Sequence, residues 1–257
     1  MGTHVAERPR GWAGTAAPGA RRTAGRGRFA GWMTAAVLAG SAMVNLAGAT
    51  DARFPGVQRP VAPIISPAYS TEAERDRRGE AGRVLNRLRV HPGMRVADIG
   101  AGDGYYTVRL ARRLGPGATI YAEDVSGPYL ARLAGRLARE EIGGVTLVHG
   151  TAADPRLPAK SIDLAILAHV YHEIEQPYEF VYRLHAALRP PGRVAIIDID
   201  RPTPEHGIPP ALLRCELAAV GYRRIDFVSL APADGYLAVF AAPKTLARPE
   251  DIRPCRG

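Results

Sequence analysis

The chain has 257 residues, 46% of them hydrophobic, enough for one large α/β core. Its formal charge of +9 is uneven: residues 1–49 hold six arginines against Glu7, leaving 28 basic and 24 acidic residues in the remainder. No basic run stands out after residue 90, so a nucleic-acid-binding surface is not expected. Cys215 and Cys255 fit neither a Cys-x-x-Cys nor a zinc pattern, and Cys215, among Leu212, Leu213 and Leu217, reads as a buried structural thiol.

Residues 1–49 combine arginines, an apolar stretch from Gly31 and a small-x-small end at Ala47-x-Ala49. That order reads as a secretory signal peptide or N-terminal anchor, with membrane association through residues 31–49. The chain is then exported (periplasmic) or membrane-anchored; a leader that is merely disordered would leave it cytoplasmic. Arg21-Arg22 lacks the apolar residue that twin-arginine export needs soon after the pair. Residues 50–69, with Pro55, Pro60, Pro63 and Pro67, read as an extended linker. Residues 70–243 carry the globular pattern, and 244–257 read as a flexible tail.

Within the globular part, Thr71-x-x-Glu74 has capping-box form and opens one polar helix through Val84, Leu85 and Leu88. A strand follows over 95–99, a helix over 106–114 stopped by Gly115-Pro116, and a strand over 119–122. Ser126 caps a helix with Leu130, Leu133 and Leu137 on one face. Strands at 145–148, 162–167 and 194–199 come next, with a helix over 178–188 before the last of them. A helix over 210–220 and strands at 222–229 and 236–241 close the domain. Alternating strands and helices predict a mostly parallel sheet covered on both faces; the last two strands suit an antiparallel hairpin.

The richest local signal is Val96-Ala97-Asp98-Ile99-Gly100-Ala101-Gly102-Asp103-Gly104-Tyr105-Tyr106. An apolar strand turning into a helix through three glycines lets the backbone approach a nucleotide-like ligand closely. The dinucleotide fingerprint needs glycine at 105, where this chain has Tyr105; its third glycine, Gly104, comes one residue early. Acids also fall where ligands bind in such sheets. Asp98 closes the first strand, Asp124 follows the second, and Asp154, after Ala153, lies in the loop beyond the third.

With those positions, residues 71–242 resemble the class I S-adenosylmethionine (SAM)-dependent methyltransferases. Residues 96–106 are similar to motif I, Ile120–Ser126 to the acidic loop, Asp154–Leu164 to the motif at strand four, and Leu188–Arg193 to the turn before strand five. Pro191 stands in that last turn where many relatives have glycine. The resemblance implies a Rossmann-like α/β fold with a mostly parallel seven-stranded sheet and an antiparallel C-terminal hairpin. It also implies SAM as cofactor, held by Asp98, Gly100, Ala101, Gly102, Gly104, Asp124, Ala153 and Asp154. A carboxylate after strand two can accept from both ribose hydroxyls; Asp154 could meet the adenine amine, and Asp98 could pin the glycine loop or face the ammonium group.

The methyl acceptor belongs after strand four, where His169, Tyr171, His172 and Glu173 stand. A histidine there could take a proton, with Tyr171 lining the pocket. The plainer reading is that His169 and His172 satisfy backbone bonds. His169 and His172 lack a third ligand at convincing spacing, so no metal is expected. Residues 167–170 are not the Asn/Asp-Pro-Pro-aromatic motif of base amino-methyltransferases, and no cysteine lies near for cytosine-C5 chemistry. A small-molecule or lipid-like acceptor is therefore expected. A SAM-binding sensor or scaffold without turnover is the second reading, and an NAD-dependent oxidoreductase the third. The sequence carries no signal for oligomeric state.

Overall fold

The computed structural model describes residues 51–64, 71–230 and 235–257. The expected signal or anchor at 1–49 lies outside the described residues. Seven strands form one sheet: β1 (Arg95–Ile99), β2 (Thr119–Asp124), β3 (Val145–His149), β4 (Ile162–Ala168), β5 (Leu188–Asp198), β6 (Arg223–Ser229) and β7 (Tyr236–Ala241). Their order is β3-β2-β1-β4-β5-β7-β6. β1 to β5 run parallel, and β7 pairs antiparallel with both β5 and β6. Rightward and leftward crossovers diverge at β1, so the ends of β1, β2, β4 and β5 open on one crevice.

Helices cover both faces. On one side lie α2 (Glu80–Arg87), α3 (Tyr105–Leu114) and α4 (Gly127–Arg139). Val84, Leu85, Leu110 and Leu114 meet Val96, Ile120, Leu164 and Ile166 of the sheet there. The other side takes α5 (Pro177–Ala187) and α6 (Pro210–Val220), with Phe180, Leu184, Leu213 and Leu217 against Ala165, Leu167 and Ile196. Leu130, Leu133 and Leu137 are the buried stripe of α4, and Ser126 Oγ accepts from Tyr129 N at its cap. Residues at i, i+3 and i+7 share a helix face, which is why this stripe was legible.

Several expectations need correction. The single polar helix after Thr71 is two, α1 (Glu72–Arg77) and α2, because Gly79 turns left-handed at φ +66° between them. The capping box of Thr71 and Glu74 is present. β5 begins at Leu188, earlier than Val194, and continues through the cis Pro190-Pro191 bond with an irregular register against β4. Finally, neither flank is loose. Of the expected linker, residues 51–64 are described, and there Arg59 Nε donates to Glu216 Oε1 at 2.9 Å. Both of those side chains have no solvent exposure. The tail at 244–257 buries Ile252 and Cys255 in the core and pairs Gln58 with Arg256.

Cys215 is not a buried thiol. Its α6 position is exposed, and it bonds Cys255 in a disulfide with Cα atoms 6.1 Å apart, 40 residues apart in sequence. Leucine neighbours in sequence did not settle its face, since 213 and 217 lie across the helix from 215. Reducing this bond, or replacing both cysteines by serine, is expected to lower unfolding stability by roughly 2–4 kcal/mol, as loop-closure entropy predicts. Urea denaturation with and without reductant measures the effect, and superimposable curves would refute it.

Candidate active site

The cofactor half starts at the turn from β1 into α3. Ala101 N donates to Glu123 O at 2.8 Å, tying the turn to β2. Gly100, Gly102 and Gly104 all have positive φ. Gly100 has a further reason to be glycine: a Cβ there would lie 2.5 Å from Val170 Cγ2. At Gly104 it would collide with Leu133. Side chains at these two places would push the turn off the strand ends.

Asp124 is buried at the end of β2. Its Oδ2 accepts from Gly102 N and its Oδ1 from Ser126 N, both at 2.8 Å. Each oxygen keeps lone-pair capacity toward the crevice, the arrangement that suits a pair of ribose hydroxyls. Glu123 beside it has Oε1 buried with no hydrogen-bond partner. Burial, with Asp124 adding to it, holds the Glu123 carboxyl well above the usual range. Gly150 must lack a side chain here, because its Cβ would overlap Glu123 Oε1. Asp98 lies deeper, accepting from Thr107 Oγ1 at 2.5 Å, and burial pushes it up to about 6 against that bond. Its position suits bracing α3 against β1.

A cavity of about 310 Å³ opens from this turn. Gly100, Ala101, Gly102, Glu123, Asp124, Thr151 and Ala152 line one part of it; Val170, His172, Glu173, Phe180 and His206 line another. Glu72 and Arg75 reach over it from α1. Arg75 is held by Glu80 at 2.6 Å and lies over the Tyr105 ring, 3.7 Å from its centroid, with Arg109 at the same distance. Two guanidinium groups that close to one centroid must sandwich the ring, a cation–π clamp on the first turn of α3.

The acceptor side is built from two crossovers. After β4 the chain makes a 3-10 turn at Tyr171–Glu173. His172, 2% exposed, places Nδ1 at 2.9 Å from Asp198 Oδ1 and 3.0 Å from Oδ2. Asp198 ends the neighbouring β5 and is fully buried. A carboxylate accepts, so Nδ1 carries a proton, and in the neutral ring the lone pair is on Nε2. His206 approaches from the loop after β5, its ring edge-on to His172 with centroids 5.6 Å apart. Burial lowers His206 below its ordinary range, His172 adding to this and Asp198 opposing it. Arg59, from the expected linker, donates to His172 O at 3.1 Å and to Tyr171 O at 3.3 Å, so that segment shapes the turn.

Of the residues singled out from sequence, Gly100, Ala101, Gly102, Asp124, His169 and His172 line one cavity. Ala153 is buried, while Asp154 turns to Arg183 Nη1 at 3.3 Å; Thr151 and Ala152 face the crevice in their place. Tyr171 does not line the pocket. It is fully buried beside Arg59 and Glu216, where burial raises its phenol well above the usual range, Glu216 contributing. One residue from His172 on a tight turn, it must point elsewhere. His169 sits at φ +59° with Nε2 3.6 Å from Glu80 Oε1. Burial would raise Glu80, but His169 and Arg75 outweigh it and hold its carboxyl far below its ordinary range. Sequence reasoning missed Asp198, Glu123, Arg59 and His206. Asp198 alone had a readable signal, an acid ending an apolar strand, as at Asp124.

Fold and site together define a Rossmann-like methyltransferase architecture. Residues 97–196 match the "Methyltransferase domain" family. That match, with the fold, supports a class I SAM-dependent methyltransferase. Nocamycin O-methyltransferase of Saccharothrix syringae is 30% identical over 116 residues, 45% of this chain and 41% of that protein. Demethylmenaquinone methyltransferase of Geobacillus sp. (strain WCH70) is 22% identical over 46% of this chain and 51% of that protein. The chain thus spans about half the length of these curated relatives. A SAM-dependent methyltransferase structure from Aquifex aeolicus is 21% identical with TM-score 0.57, covering 67% of this chain and 98% of that one. SAM is the cofactor of this class, and the donor set fits it: a ribose-ready carboxylate, a glycine turn and a cavity reaching past both.

Asp124→Ala is expected to weaken binding of S-adenosylhomocysteine by roughly 1.5–3 kcal/mol, the range for hydrogen bonds to a charged group. Asp154→Ala should change it by less than about 0.5 kcal/mol, as for a surface pair such as that with Arg183. Calorimetry on both variants tests the assignment, and equal losses would contradict it.

Proposed function

We propose that this protein transfers the sulfonium methyl of SAM to a small-molecule acceptor seated against His172. The observation that carries this reading is the single cavity joining Gly100 and Asp124 to His172 and Phe180. SAM supplies an already activated methyl group, so the protein contributes placement and, for a hydroxyl acceptor, the handling of one proton. Asp198 fixes the His172 ring and leaves Nε2 as the atom available to the acceptor. Val170, Ile174 and Phe180 supply an apolar wall. Relatives named for nocamycin and demethylmenaquinone, and a fold neighbour named for 1,6-didemethyltoxoflavin, support a small acceptor.

Full-length protein given labelled SAM and a panel of hydroxylated metabolites and demethylated quinones should release S-adenosylhomocysteine. His172→Gln is expected to lower turnover about 10²-fold, the usual contribution of a positioned acid or base, with SAM affinity kept. Tight SAM binding without turnover across the panel would favour a binding module.

We also propose that the domain works outside the reducing cytosol. The Cys215–Cys255 bond supports this, since such bonds persist mainly in exported proteins. Alkylation of thiols in intact producing cells should find the pair oxidised and the protein in the periplasmic or membrane fraction. A cytosolic protein with two free thiols would overturn it.

A further inference from the structure

Glu173 and His206 join His172 in a cluster, and the methyl-transfer reading gives no part to those two. One ligand atom from each lies within 4.8 Å of the other two. His172 Nε2 and Glu173 Oε1 stand 3.9 Å apart. Two ligands about 2.05 Å from a tetrahedral ion would be about 3.3 Å apart, so closing the set asks for small side-chain movements. We propose that these three residues hold a divalent transition-metal ion on the acceptor side of the cavity.

Four observations support the assignment. First, two imidazoles and one carboxylate are the donor set of open metal sites that keep positions for a further ligand. Second, Asp198 takes the proton of His172 Nδ1 at 2.9 Å, the carboxylate–histidine arrangement that orients a ligating ring and raises its basicity. Third, the scaffold holds His206 inward at an energetic cost. It sits left-handed at φ +57° after the turn at Thr203–Glu205, and Thr203 Oγ1 is tied to Pro60 O at 2.7 Å. Gly207 follows it where a Cβ would lie 2.5 Å from Ile199 O, so the loop must pass close to the end of β5. Fourth, all three residues line the cavity that also holds the glycine turn. A further coordination position would therefore face the acceptor.

The ion's consequence for chemistry rests on the methyl-transfer reading above. An acceptor hydroxyl ligating the ion would release its proton to water. Its oxygen would then form the new O–C bond as the S–C bond breaks, the electron pair staying on sulfur. His172 Nε2 then serves as ligand, and the acceptor class narrows to molecules offering a hydroxyl or enol oxygen.

The test uses untagged full-length protein, stripped by chelator and titrated with Co2+ while its visible absorption is followed, with Zn2+ competition as a second measure. One equivalent should bind. His206→Ala and Glu173→Gln should each weaken binding at least tenfold, while His169→Ala, removing a cavity histidine outside the cluster, should not. Binding of S-adenosylhomocysteine, measured on every variant, confirms that each one folds. Absence of stoichiometric Co2+ binding, or binding that survives both His206→Ala and Glu173→Gln, overturns the proposal. Because the readout is metal binding, it stands or falls apart from turnover: Co2+ bound with no methyl transfer would sink the enzymatic reading and leave the metal site intact.

Discussion

The close approach of Gly100 to Val170 is the constraint on which this site depends. Gly100 belongs to the cofactor turn and Val170 to the segment that carries His169 and His172, and a Cβ would put 2.5 Å between them. No side chain survives such a separation from a branched neighbour without the backbone moving. The missing Cβ therefore lets the two halves of the cavity share one wall. The same turn is tied to β2 through Ala101 and Glu123, so the ends of β1, β2 and β4 hold one another in place.

Charge at these strand ends is distributed by burial. Asp98, Glu123 and Asp124 crowd one region, and three full negative charges there would repel strongly in a low dielectric. Asp98 and Glu123 are pushed upward in pKa, while Asp124 accepts two backbone N–H bonds that suit a carboxylate. The upward shifts of Asp98 and Glu123 lessen that repulsion at the place where a cationic cofactor with ribose hydroxyls is held.

The flanks do more than extend the chain. Arg59 is buried with Glu216 and also donates to the carbonyls of Tyr171 and His172. Desolvation of such a pair offsets much of its Coulombic attraction, and burial indeed raises Glu216 despite Arg59. Its consequence is positional: it sets the turn that presents His172. The disulfide then secures α6, which carries Glu216, to the C-terminal segment.

The strand–glycine–helix unit was legible because it is local: β1, the turn and α3 are consecutive, and glycine and apolar periodicity mark them directly. Sequence alone determined the alternating architecture, the C-terminal hairpin and the place of Asp124 at a strand end. It misread Tyr171, the two flanks and Cys215, whose surroundings come from residues distant in the chain. The meeting of His172, Asp198 and His206 was decided only by the tertiary structure. His172 follows β4, while Asp198 and His206 belong to β5 and the loop beyond it, and only the pairing of β4 with β5 brings them together. Side-chain direction on the turn then selected His172 for the cavity and Tyr171 for the core, a choice made by packing and written in no motif.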